Sequence, residues 1–161
     1  MALNSSRGED PLFLEDLRLT QQITVLWGVF LLGLLFHTQL ALMPLFHGLS
    51  VLAAHGHVAT TIAEIEPVLW GMLAFFILPL LAMVAIVIHP SHSLRLAHLG
   101  LTGVYTLLNL FHLAADLVIQ PVAWYQIVLM GLLVSVGLLL NRAAYHWVRL
   151  HVPHPRRIVP S

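Results

Sequence analysis

Apolar residues run along this chain in four long stretches, at about 21–46, 67–89, 94–119 and 122–147. Polar, proline- and glycine-bearing segments separate them. A helix needs roughly 20 apolar residues to cross about 30 Å of hydrocarbon, and each stretch is long enough. The expected fold class is therefore all-α: a polytopic membrane protein built as a four-transmembrane-helix up-down bundle. Residues 1–20 are read as an N-terminal segment, 21–147 as the transmembrane domain with a loop at 47–66, and 148–161 as a tail.

The third stretch organises the others. His98, Thr102, Tyr105, Asn109, His112 and Asp116 follow one another at spacings of 4, 3, 4, 3 and 4. On a helix this is one seam, rising roughly 27 Å at about 1.5 Å per residue. A seam that carries ionisable groups at depth belongs in a bundle interior or cavity, so the other helices are expected to surround it. Thr102, Tyr105 and Asn109 can serve as plain cross-links between helices. Leu99, Leu110 and Leu117 are expected to face away.

Local signals set the element ends. Asp10-Pro11 suits the start of a short amphipathic helix whose Leu12, Leu14, Leu17 and Leu19 lie on the membrane surface. Pro44 is expected to kink or end the first span, Pro67 to start the second and Pro79 to kink it. Gly33 shares a face with His37, leaving space beside the ring or letting another helix approach. Gly71, Ala74, Ala82 and Ala85, and the pair Gly131 and Ser135, offer small-residue packing faces. Trp124, Tyr125, Tyr145 and Trp147 fit aromatic belts at the two ends of the fourth span.

Composition sharpens the membrane reading. Of the 161 residues, 59% are hydrophobic and only 9% are charged, against about 25% charged in soluble proteins. There is no Cys, which excludes disulfides, iron–sulfur clusters, thiolate zinc sites and covalent c-type haem. Net charge is zero and no basic stripe points to nucleic acid. The start of the chain is polar and acidic, without the basic start of a secretory leader. The seven basic residues are all Arg. Arg7 and Arg18 before span one, Arg95 in the connection between spans two and three, and Arg142, Arg149, Arg156 and Arg157 at or beyond the end of span four all fall on one side of a four-span topology. The positive-inside rule makes that side cytoplasmic, with both termini on it, as in a bacterial inner membrane, plasma or photosynthetic.

Eleven histidines are many for this length. Topology puts His37, His47, His55, His57 and His112 on the outer half, with Glu64, Glu66 and Asp116. His89, His92, His98, His146, His151 and His154 fall on the inner side, where a histidine near the interface is normally just solvated. His37 and His112 sit at matched depth, roughly 12–14 Å from the outer ends of spans one and three. These spans are parallel and diagonal in an up-down bundle, so a cofactor between them can take one His from each. The leading expectation is haem b held by His37 and His112 in an electron-transfer subunit.

His98 and His112 are separated by thirteen residues. That spacing resembles the paired-histidine helices of the respiratory cytochrome b family, which stack two haems across the bilayer. The resemblance covers this one helix. Span one departs from it, with Ile23 where a histidine would pair with His98, so an inner haem would need His89 or His146. No Arg stands on the outer side to meet haem propionates; His47, His55 or water would have to serve.

Three other readings stay open. A non-haem transition-metal ion (Cu, Zn, Fe or Mn) can bind His37, His112 and Asp116 with a further ligand from His47, His55, His57, Glu64 or Glu66, of which His47 and Glu66 are the chosen candidates. The seam from His98 to Asp116 can relay protons. The chain can also be an accessory subunit, with a chlorophyll-type pigment or no chemistry of its own. Expected partners are the lipid bilayer and other membrane subunits or further copies of the chain, with no nucleic acid. No Walker loop, Rossmann fingerprint, nucleophile elbow or zinc-protease motif occurs. A subunit of a membrane redox complex is expected rather than an independent enzyme.

Overall fold

A computed structural model describes residues 11–51, 58–88 and 91–150. The expectations for His55, His57, His89, His151 and His154, and for Arg7, Arg156 and Arg157, lie outside the described residues. Four helices follow in order: α1 Pro11–Phe46, α2 Ile62–Ile88, α3 His92–Val118 and α4 Trp124–Arg149. The described residues contain no strand. All four helices are long and apolar enough to cross a membrane.

The ends follow from local chemistry. Pro11 opens α1, where a missing N–H costs nothing. After Pro44 the chain turns out of the helix. The Pro44 carbonyl accepts from His47 N and Leu49 N, both at 3.0 Å, and Gly48 takes a left-handed φ of 73° that glycine tolerates. The second helix begins at Ile62, earlier than Pro67 implied, because Glu64 gathers the N-terminal donors. Its Oε1 accepts from Thr60 Oγ1 at 2.7 Å and Thr61 Oγ1 at 3.1 Å, and its Oε2 accepts from Thr60 N at 3.3 Å. The carboxylate-to-backbone bond is one half of a capping box. Pro67 therefore lies inside α2. Ser91 caps α3 by accepting from Leu94 N.

Helix α4 packs against both α1 and α3, while α2 touches those two more sparsely. That order leaves α1 and α3 facing each other across a diagonal. Asp16, Trp27 and His37 on α1 meet Arg95, His98 and His112 on α3 in rising order, so these helices run parallel. Asp16 and Arg95 both meet Trp147 near the end of α4, so α4 runs against them. Two glycines allow the close approach. A side chain at Gly33 would collide with Leu133 of α4, and one at Gly137 would come within 2.8 Å of Thr106 Oγ1. Of the two roles expected for Gly33, the helix approach is the one seen. Gly131 and Ser135 do not pack helices: Ser135 is exposed and donates to the Gly131 carbonyl at 3.0 Å. The small face expected of α2 is half realised, since Gly71 and Ala74 are exposed while Ala82 and Ala85 are partly covered.

The core is built mainly on α1 and α4, from Ile23, Trp27, Phe30, Met130, Leu133, Leu140 and Trp147, with Ile86 of α2 and the α3 seam closing it. His98, Thr102, Tyr105 and Asn109 are all buried, while Leu110 and Leu117 are exposed and Leu99 is half-buried. The seam therefore faces inward over most of its length. His112, at its far end, keeps 54% of its side chain exposed.

Three expectations about the opposite end are corrected. The N-terminal turns are not a separate surface helix but the start of a single 36-residue α1, with Leu19 buried. Arg95 is not in a connection but within α3 and buried. Trp147 is fully buried rather than at a membrane belt. One cluster explains all three. Asp16 Oδ1 accepts from Arg95 Nη2 and from Trp147 Nε1, each at 2.8 Å. Arg95 Nη1 donates to the Trp147 and Leu150 carbonyls at the end of α4, and its guanidinium lies 4.8 Å from the Trp147 ring centroid. A cation there satisfies both the carboxylate and the negative end of the α4 dipole.

Pro79 is buried in α2 and lacks the N–H that would reach the Phe75 carbonyl one turn back. Tyr105 of α3 replaces it, its hydroxyl donating to that carbonyl at 2.6 Å. Tyr105→Phe should thus destabilise the bundle by about 1–2 kcal/mol, read by unfolding in SDS-containing mixed micelles. The same substitution in a Pro79→Ala background, where the N–H is restored, should cost clearly less.

Candidate metal centre

His37 lies on α1, about two turns before Pro44, and His112 and Asp116 lie one turn apart near the end of α3. Parallel, diagonal helices bring the three together. The Nε2 atoms of His37 and His112 are 3.2 Å apart, within hydrogen-bond distance of each other. Asp116 Oδ2 stands 3.7 Å from His37 Nε2 and 3.6 Å from His112 Nε2. The three donor atoms lie within 4.8 Å of one another, and the group could hold a metal ion.

These spacings have a chemical meaning. Donors bound at about 2.0–2.2 Å to one tetrahedral ion are roughly 3.3–3.6 Å apart, close to all three separations. The carboxylate is too distant for a direct hydrogen bond to either ring, which needs about 2.7–3.2 Å. Asp116 Oδ2 and His37 Nδ1 are buried without a hydrogen-bond partner. Asp116 is also a poor residue for its place. It sits in the last turns of α3, at the negative end of the helix dipole, with no basic residue in the last turn and only 15% of its side chain exposed. A buried carboxylate in that field calls for a nearby positive charge.

His47 and Glu66 do not join the group. His47 lies in the turn after α1, where its backbone N–H closes onto Pro44. Glu66 belongs to α2 and accepts from Trp70 Nε1 at 3.2 Å, on a half-helix exposed along its whole length. Glu64 is used to cap α2.

The inner part of the seam serves packing. Trp27 Nε1 donates to His98 Nε2 at 3.0 Å, so the nitrogen an inner haem would use is engaged. Between His98 and Asn109 the Tyr105 ring is enclosed by Trp27, Phe30 and Phe75, with centroids 4.7–6.5 Å away. In this layer the Tyr105 hydroxyl is committed to the Phe75 carbonyl. Asn109, one turn inward of His112, has both amide atoms buried without a partner. The cross-link expected of Asn109 is therefore not made among the described residues.

No family model, curated protein or solved structure matches this chain.

Proposed function

We propose that this protein is an integral membrane protein of the up-down four-span type that holds one non-haem transition-metal ion between His37, His112 and Asp116. The convergence of two imidazole nitrogens and one carboxylate oxygen at 3.2, 3.6 and 3.7 Å carries the reading. Two nitrogens and one oxygen suit Zn²⁺, Cu²⁺ or Fe²⁺. Three protein ligands leave a position open to water or a small exogenous ligand, and the exposure of His112 gives that position access from the loop end of the bundle. Haem b between the same histidines is less well supported. An iron bound by both would set the two nitrogens roughly 4 Å apart, twice a metal–imidazole bond of about 2.0 Å, with a flat macrocycle between them.

The one-sided arginines support a topology with the loop end outside and both termini in the cytoplasm. The metal then faces the outer compartment, as suits a redox subunit of a larger membrane complex. Metal analysis of the purified protein, read with its absorption spectrum, tests this. About one transition metal per chain without a Soret band is the expected result. A Soret band that moves on reduction means haem instead, and neither metal nor pigment leaves the accessory-subunit reading.

A further inference from the structure

At the opposite end, between the first turns of α1 and the last turns of α4, lies a cavity of about 370 Å³. Its wall carries Arg18, Gln22, Arg142 and His146, with Glu15 beside Arg18 and Leu139 one turn nearer the middle of α4. Glu15 Oε2 accepts from Arg18 Nη1 at 3.1 Å, so these two charges largely cancel while the remaining N–H groups of Arg18 stay available. Arg142 has no such acid. It makes no hydrogen bond or ion pair among the described residues. Arg149, at the same end of α4, is outside the cavity, its guanidinium 5.1 Å from the Tyr145 ring centroid.

The recess thus presents a guanidinium with no acidic partner among the described residues, a second guanidinium with spare donors, an amide and an imidazole. The planar fork of Arg matches the oxygens of phosphate, and basic recesses between membrane helices on the cytoplasmic side take anionic headgroups. Exposed Leu139 adds an apolar edge on which an acyl chain can lie. We propose that this cavity binds a phosphate group, supplied in a bilayer by the headgroup of an anionic lipid. The proposal is independent of the metal centre and uses the membrane reading only for the source of the phosphate.

The test compares the full chain in nanodiscs of phosphatidylcholine with discs that also contain phosphatidylglycerol, reading the melting temperature. Anionic discs should raise it. Arg142→Gln should remove that rise and weaken the apparent lipid affinity roughly five-fold or more. Arg149→Gln should keep the rise, and Arg142→Lys, which retains the charge but not the planar fork, should keep part of it. Circular dichroism and melting in neutral discs confirm that each variant folds. Inorganic phosphate, added to protein in a neutral detergent, separates the sources. A rise there that is lost in Arg142→Gln makes free phosphate a sufficient ligand, and no rise there assigns the site to lipid. The proposal is overturned if neither anionic lipid nor phosphate moves the melting temperature. It also falls if Arg142→Gln and Arg149→Gln lose the rise equally, which would mean general attraction to a positive surface.

Discussion

His112→Ala is expected to leave the protein folded and lower its affinity for metal by more than about 100-fold. Loss of an outer hydrogen-bond partner alone costs about 10–100-fold, and removal of a direct ligand exceeds that. Folding should survive because the His112 side chain is 54% exposed and fills no core space. His37→Ala should have the same effect on metal, with a larger cost in stability because His37 is buried. Asp116→Asn discriminates between cofactors. For an ion bound by all three residues it removes a charged ligand, and most of the metal should be lost. For a haem on the two histidines it leaves the ligands in place, and the cofactor should remain, with a changed potential at most. Metal content after dialysis, measured with the absorption spectrum for each variant, reads all three. Full metal retention in both histidine variants would remove the site.

Arg95→Ala should be the most destabilising single change at the opposite end, by about 3–5 kcal/mol, because it strands a buried carboxylate. Three things are lost together. Asp16 loses its ion pair at 2.8 Å, the Trp147 and Leu150 carbonyls lose a donor, and the Trp147 ring loses the guanidinium above it. Asp16→Ala in the same chain should recover a large part of the loss, since no unpaired charge then remains. Unfolding in mixed micelles measures both. A loss below about 1 kcal/mol, the range of exposed pairs, would show that water reaches this pair. The cluster is remote from His37 and His112, so metal content in the variant should be unchanged wherever it remains folded.

Much of the architecture was written in hydropathy. Four apolar stretches became four helices, with first estimates within a few residues except at the start of α1 and of α2. The 4, 3, 4, 3, 4 spacing on α3 gave the buried seam, and equal depth on α1 and α3 brought the His37 and His112 rings together. These features are properties of one helix at a time, or of helices whose relative direction follows from their number. Periodicity and rise per residue suffice for them.

What depended on the partner across the bundle was not legible. Arg95 read as a connection residue because an Arg beside a short turn is usually solvated; only the approach of Asp16 and the end of α4 buried it. Gly131, with Ser135 one turn on, carries the small-residue signal in the sequence and Gly137 does not; only Thr106 facing Gly137 reverses that order. Depth and the Ile23 mismatch set His98 apart from His112 in the sequence, but not what each of them meets. Trp27 occupies the nitrogen of one, and the approach of His37 leaves the other at the edge of an open three-residue site. Which residues share a face, and at what depth, follows from periodicity and rise along each helix. The tertiary structure alone decided which polar atoms find partners inside the protein, because a hydrogen bond or a ligand set is fixed by distances between helices, and no periodicity along one helix encodes those.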